Sequence, residues 1–176
     1  SGQSLAALAA QIEARGALPP VDRWNPDHCG DSDMRIARDG TWVHQGSPIG
    51  RESMVRLFST ILRREPDGSH VLVTPVEKLS IAVEDAPFIA VELKTEGQGP
   101  DRSLAFRLNV GDLVAAGSDN AITLRAKEDG PHPYLHVRGG LEALIGRSVY
   151  YELMNLALEE NCGGGRVGLW SGGVFF

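Results

Sequence analysis

The sequence predicts an α+β fold built from a duplicated unit in which a strand hairpin leads into a helix. Residues 39–46 and 129–139 resemble each other, because each stretch begins with an Asp-Gly pair, continues with aromatic, aliphatic and His residues, and ends at Gly. An apolar pattern of helical spacing follows each stretch. Glycine accounts for 21 of 176 residues, a high share that favours turn-rich β structure over a helical bundle.

The first 69 residues predict a helix, a loop, a hairpin and a second helix. Residues 4–14 have apolar residues at helical spacing, and Pro19-Pro20 ends that pattern. Residues 21–33 predict an ordered loop. Residues 34–37 and 41–45 predict a hairpin with its turn at Asp39-Gly40. Residues 47–65 predict a helix with one apolar stripe, ended by Pro66.

From His70 onward the apolar period changes to two, which predicts short strands in a curled, mostly antiparallel sheet. The strand candidates are residues 71–74, 79–83, 88–93, 104–108, 122–124 and 134–137. Residues 141–156 predict a long helix that covers this sheet and ends at Gly163. The predicted organisation is therefore a helix and linker at 1–20, a hairpin and helix lobe at 21–69, and a sheet and helix lobe at 70–176.

Charge and hydropathy exclude two classes of partner. The net charge is −6, which argues against a protein that coats nucleic acid. No stretch approaches the ~20 apolar residues of a membrane span, and residues 1–16 lack a secretory signal. We therefore expect a soluble cytoplasmic protein with free thiols at Cys29 and Cys162.

The charges are unevenly distributed. Residues 33–64 contain six arginines against three carboxylates, a local charge of +3, whereas residues 65–100 contain seven carboxylates against two lysines, a local charge of −5. Two interpretations stay open. The segments face each other or water, or some of the arginines face an anion, for which the planar guanidinium is well suited.

No complete catalytic, metal or cofactor motif is present, so the sequence predicts no cofactor and no metal. Residues 27–33 contain His28, Cys29 and three Asp residues, which are metal donors, but their spacing matches no known closed site. Cys29 is a candidate nucleophile with His44 or His136 as base, although nothing in the sequence brings them together.

Three further motifs favour structure over chemistry. His132 and His136 form an HxxxH pair, but the prolines at 131 and 133 forbid the helix that would make it a metal site. Gly139-Gly140 either cradles a phosphate or permits a turn. Glu84-Asp85 offers paired carboxylates, but Pro87 makes the segment resemble a turn between strands.

Several longer strings point to a family. Residues 33–42, 46–49 and 55–58 read DMRIARDGTW, GSPI and VRLF, and residues 73–78, 83–88 and 109–112 read VTPVEK, VEDAPF and NVGD. With these strings the chain resembles the bacterial family called domain of unknown function 1285 over most of residues 20–138.

The resemblance implies a duplicated core whose C-terminal half is similar to pleckstrin-homology folds. It also implies a small-ligand site at the interface of the halves, with a nucleotide as a candidate ligand, and a role in signal transduction without established catalysis. In that setting Arg35 and Arg38 are expected to clamp a phosphate, Trp42 to stack on a base, and Asp85 or Asn109 to accept hydrogen bonds. The full set of expected ligand-binding residues is Arg35, Arg38, Asp39, Trp42, His44, Lys78, Glu84, Asp85, Asn109 and Asp112.

The sequence thus predicts a cytoplasmic sensing module that binds a small anionic ligand and has a signalling protein as a possible partner, with no catalytic residues. Two alternatives stay open. The first is a hydrolase of a phosphorylated or acyl substrate with His44 or Asp85 as base. The second is a protein-interaction module that docks a partner on its sheet face or edge.

Overall fold

Two six-stranded sheets, one in each half of the chain, form the fold. The structure, a computed structural model, describes residues 18–160 and 167–176, so the helix expected at residues 4–14 lies outside the described residues. The chain divides into two compact units between Asp85 and Ala86. Neither of the two α-helices within the described ranges is long and apolar enough to cross a bilayer.

The N-terminal unit consists of two antiparallel three-stranded meanders that meet along a parallel strand pair. The sheet order is β3-β2-β1-β6-β5-β4, with β1 parallel to β6. One helix, α1 (Glu52–Thr60), connects the two meanders. The strands are β1 (His28–Ile36), β2 (Trp42–His44), β3 (Ser47–Pro48), β4 (Leu62–Arg64), β5 (His70–Val73) and β6 (Glu77–Val83).

The predicted hairpin is confirmed, with β1 and β2 paired in antiparallel register from Met34 opposite His44 to Ile36 opposite Trp42. The turn lies at the Asp-Gly pair. Gly40 takes a φ of 90°, which a residue with a side chain rarely adopts, and its N–H donates to the Ala37 carbonyl at 2.9 Å. The local sequence therefore determines this turn.

Two segments of the N-terminal unit differ from the prediction. Residues 28–33 were predicted as loop, but they form the first part of β1 and pair with β6, with an irregularity between Asp31 and Met34. Their polar side chains are mostly exposed, so the segment lacks the apolar alternation that indicates a strand.

The helix before Pro66 is shorter than predicted, since α1 ends at Thr60 and Leu62 begins β4. The hydroxyls of Ser59 and Thr60 donate to the carbonyls of Arg56 and Leu57. These side-chain hydrogen bonds compete with the backbone hydrogen bonds of the last helical turn. Leu62 then pairs with Leu72 across the sheet and is 1% exposed.

The C-terminal unit contains a second six-stranded sheet of order β10-β11-β12-β7-β8-β9, with β12 parallel to β7. The helix α2 (Arg147–Glu160) follows the sixth strand, and a small hairpin lies near residue 176. The strands are β7 (Phe88–Glu96), β8 (Ser103–Leu108), β9 (Leu113–Ala115), β10 (Ile122–Lys127), β11 (Gly130–Arg138) and β12 (Leu141–Ile145), with β13 (Trp170–Ser171) and β14 (Val174–Phe175) in the hairpin.

Residues 141–145 were predicted as the first part of the long helix, but they form β12. Leu141, Ala143 and Ile145 are buried and alternate with half-buried residues, as in a strand with one covered face. Short apolar runs fit a helix and a strand about equally well, and here the pairing with β7 and β11 decides.

The two sheets share one connectivity, in which the first and sixth strands of each are neighbours and run parallel. The two similar stretches of sequence, residues 39–46 and 129–139, are not at equivalent positions of this shared connectivity. Asp39-Gly40 lies between the first and second strands of its sheet, whereas Asp129-Gly130 lies between the fourth and fifth. Strands β5 and β6, assigned from the sequence to the second lobe, belong to the N-terminal sheet. The likeness of the C-terminal half to pleckstrin-homology folds stays a prediction.

Candidate functional site

The parallel pairing of β1 and β6 brings three of the expected ligand-binding residues together. Glu84 directly follows β6, and its backbone N–H donates to the Ile36 carbonyl at 3.0 Å. Its carboxylate accepts a hydrogen bond from the Arg35 side chain and another, of 2.7 Å, from the backbone N–H of Arg38. We call Arg35, Arg38 and Glu84 the arginine cluster.

The two arginines of the cluster differ in what they offer a ligand. The backbone N–H of Arg38 and the guanidinium of Arg35 lower the pKa of Glu84, so this carboxylate stays charged and neutralises Arg35. The Arg38 side chain is exposed and forms no direct ion pair among the described residues. Arg38 therefore presents an exposed guanidinium that Glu84 balances only from a distance, without a direct ion pair.

Trp42 and His44 lie on β2 in contrasting surroundings. The Trp42 ring is 2% exposed and stacks on Phe58 of α1 with 6.5 Å between ring centroids. Its buried Nε1 has no hydrogen-bond partner within the described part of the chain. His44 is exposed. Stacking of a base on Trp42 would require the ring to leave this position.

Asp39 and Lys78 each have a local partner in the N-terminal unit. The Asp39 carboxylate accepts the Thr41 N–H at 3.0 Å across the hairpin turn, which lowers the pKa of Asp39. Lys78 Nζ lies 3.6 Å from a carboxylate oxygen of Glu65, the same oxygen that pairs with Arg63 at 2.8 Å. Asp85 is half-buried.

Asn109 and Asp112 lie in the C-terminal unit, at the turn between β8 and β9. Asn109 Oδ1 accepts the Ile89 N–H at 3.1 Å, so the amide ties this turn to β7. A carboxylate oxygen of Asp112 lies 3.9 Å from Arg138. Burial lowers the pKa of Arg138, and Asp112 opposes this shift.

The groups proposed for metal or nucleophilic chemistry are dispersed. Among the described residues no cluster of three or more His, Cys, Asp or Glu side chains forms a metal site. His28 and Cys29 are consecutive on β1, so their side chains point to opposite faces of the sheet. His136 lies between backbone groups, with Nδ1 at 2.8 Å from the Asp119 carbonyl and Nε2 accepting the Gly140 N–H at 3.0 Å. His136, the histidine of residues 129–139, therefore stabilises the turn at Gly139-Gly140.

One feature of the C-terminal unit was missed by the sequence reasoning, an apolar pocket of about 560 Å³ beside α2. The signal that could have found it is the width of the apolar stripe on α2. Tyr150, Met154 and Leu158 extend the stripe beyond the buried residues Leu153 and Ala157, so the helix has more apolar surface than it buries.

The fold and the arginine cluster together define a protein of two six-stranded sheets with an exposed guanidinium at one hairpin. Residues 19–86 match the family model "Domain of unknown function (DUF1285), N-terminal domain", and residues 87–176 match "Protein of unknown function (DUF1285), C-terminal domain". The chain belongs to the DUF1285 family, as its sequence strings predicted.

Two solved structures of this family are similar to the chain. A DUF1285 family protein from Silicibacter pomeroyi DSS-3 is 50% identical with a TM-score of 0.86, over 100% of this chain and 94% of that chain. A DUF1285 family protein from Shewanella baltica OS155 is 28% identical with a TM-score of 0.56, over 69% of this chain and 90% of that chain. No curated protein matches the chain.

Proposed function

We propose that this chain is a binding module for a small anionic ligand, with a nucleotide as the candidate, and that it reports the ligand to a signalling partner. The observation that carries the proposal is the exposed guanidinium of Arg38, which forms no direct ion pair among the described residues. The hydrogen bond from its own backbone N–H to Glu84 holds this residue at a defined place. The backbone is thus held while the guanidinium stays accessible to water, and its planar set of donors is suited to a phosphate.

The charges around the cluster decide which arginine makes first contact. Glu84 repels an anion that approaches Arg35, so an incoming phosphate meets Arg38 first. Arg51 and Arg56 of the same unit are exposed and make no ion pair among the described residues.

A nucleotide also needs a surface for its base. Because Trp42 is buried against Phe58, the exposed His44 is the aromatic ring on β2 that offers a face to a base. Asp39 lies beside Arg38, but its carboxylate already accepts a hydrogen bond from Thr41 and is better suited to hold the turn than the ligand.

The proposal is tested by thermal shift and calorimetry with ATP, GTP, AMP and inorganic phosphate at millimolar concentration. A ligand at 100 times its Kd adds about 2.7 kcal/mol to the free energy of unfolding. Arg38→Ala should abolish the shift, and Glu84→Gln should strengthen binding because it releases Arg35. The control is Arg147→Ala, an exposed arginine of the C-terminal unit. Absence of a shift with every ligand, or an equal shift in Arg38→Ala, would contradict the proposal.

A further inference from the structure

The described residues that line the apolar pocket beside α2 all belong to the C-terminal unit and form three walls. One wall is the β10–β11 edge of the sheet, with Leu104 from β8. The second wall is the chain around Leu169 and Phe176, next to the β13–β14 hairpin. The third wall is one stripe of α2, whose residues are spaced at i, i+3, i+4, i+7 and i+8: Tyr150, Leu153, Met154, Ala157 and Leu158.

The pocket has a covered floor and an open mouth. Leu104, Leu153 and Leu169 are buried at its floor. The mouth is lined by large apolar side chains that water reaches, with Leu158 56% exposed and Val167 59% exposed. Exposed apolar side chains grouped around a cavity mark a place where a partner molecule binds.

The walls are held by specific contacts before any ligand arrives. The backbones of Leu169 and Phe176 exchange two hydrogen bonds, of 2.9 and 2.8 Å. Gly168 allows this close approach, because a Cβ there would lie 2.1 Å from the Phe176 carbonyl oxygen. Buried Ser171 accepts the Leu104 N–H at 2.9 Å and donates to the Ala116 carbonyl at 2.8 Å, which ties the hairpin to the sheet. The pocket is therefore pre-formed, as small-molecule sites usually are.

The lining chemistry selects the kind of ligand. A volume of about 560 Å³ suits one small molecule, and none of the lining side chains that the structure describes carries a charge. The polar side chains of the lining are Thr123 and Tyr150, and the remaining residues are mostly aliphatic. Burying an unpaired charge among such residues is costly, whereas each buried CH₂ group contributes ~0.8 kcal/mol.

We propose that this pocket binds the aliphatic chain of a small amphiphile, such as a fatty acid or an acyl thioester. The chain lies between the α2 stripe and the sheet edge, and the polar head stays at the mouth in water. The site shares no residue with the arginine cluster, because the described lining residues all belong to the C-terminal unit, and their side chains offer an anion no charged partner.

The test uses a fluorescent fatty acid, 11-(dansylamino)undecanoic acid, titrated with the full chain. We expect a saturable rise in fluorescence that dodecanoic acid reverses and ATP does not. Dodecanoyl-coenzyme A is a second competitor that distinguishes the two candidate ligands. Competition by dodecanoic acid alone supports a free fatty acid as the ligand. Competition by the thioester supports an acyl thioester.

Leu158→Glu places a negative charge at the mouth, beside the carboxylate head of the probe, and should weaken probe binding about tenfold or more by repulsion and by the cost of burying the charge. Tyr151→Glu is the matched control, because Tyr151 lies on the same helix, is also 56% exposed and does not line the pocket. It should leave binding within about twofold. Circular dichroism and the Tm of both variants show that each still folds.

Ala157→Met fills the pocket from a buried position and should also weaken the probe, without adding charge. Three results would overturn the proposal. They are no saturable binding of the probe, equal binding by Leu158→Glu and the native chain, and a concentration-dependent dimer in sedimentation that Leu158→Glu dissociates. The last result would assign the surface to a second copy of this chain.

Discussion

At the scale of single residues, most polar side chains that resemble ligand contacts are engaged with the protein itself. Asp39 and Asn109 accept backbone N–H groups, and His136 lies between a carbonyl and an N–H. Asp and Asn are common in turns because their side chains satisfy nearby backbone groups. Arg38 differs from them, since its guanidinium points to water while its backbone N–H is held by Glu84.

The ion pair between Arg102 and Glu160 makes stability depend on pH. Burial raises the pKa of Glu160, but the hydrogen bonds from Arg102 and from the Gly99 N–H together outweigh it, so the net shift is downward. A carboxyl whose folded pKa is lowered contributes stability that is fully present above its ordinary pKa, 4.5, and is lost as the pH falls through the folded value.

Glu160→Gln should therefore lower the free energy of unfolding at pH 7 by about 1–3 kcal/mol, and the difference from the native chain should shrink as the pH falls below 4.5. Urea unfolding over a pH series measures this. Glu159→Gln, at the exposed neighbour, is the control and should change little. A difference that stays constant with pH would show that the pair contributes no charge-dependent stability.

At the scale of elements, α-helix and β-strand compete for the same apolar runs. Leu62 lies near the end of one predicted helix and Leu141 at the start of the other, yet each begins a strand. The partner strands are distant in sequence, so their contribution does not show in a local window. The β13–β14 hairpin is similarly non-local, because Ser171 ties it to β8 and the residue after β9.

Ser171→Ala should lower the free energy of unfolding by about 1–3 kcal/mol, because it leaves the Leu104 N–H and the Ala116 carbonyl buried without this partner. Chemical denaturation gives the value. The matched control is Ser103→Ala on β8, where the side chain is exposed and a change within about 0.5 kcal/mol is expected. Equal effects in the two variants would mean that the hydroxyl of Ser171 does not anchor the hairpin.

At the scale of the whole molecule, each unit has its own sheet, its own helix and its own buried residues. Leu72 is buried in the N-terminal sheet, and Leu135 in the C-terminal sheet, both at 0% exposure. The shared connectivity means that each sheet has its own parallel pair of first and sixth strands at its centre. We expect the two sheets to respond separately to damage in their cores.

Leu72→Ala and Leu135→Ala should each cost about 2–5 kcal/mol, because each opens a cavity in a packed core. Amide hydrogen exchange should locate the loss of protection in β4–β6 for the first variant and in β10–β12 for the second. The two variants serve as controls for each other. Protection lost equally across both units in either variant would contradict separate responses.

The family, the β-rich content, the hairpin at Asp39-Gly40 and most of the strands could be predicted from the sequence. These features depend on local information: the Asp-Gly turn needs only the φ that Gly40 adopts, and alternating apolar residues indicate a strand by themselves. The arginines were also identified from the sequence, because their charge excess is a property of composition.

Tertiary structure alone decided which strands pair, where the helices end and which polar side chains bind to other groups of the protein. Residues 28–33 become a strand only because β6 lies beside them, and Glu84 reaches Arg35 only through that parallel pairing. The apolar pocket likewise requires α2, the β10 edge and the chain near residue 169 to meet. Contacts between segments distant in sequence determine the strand, the ion pair and the pocket. Forming such contacts costs loop-closure entropy, which is offset only when the whole chain is folded.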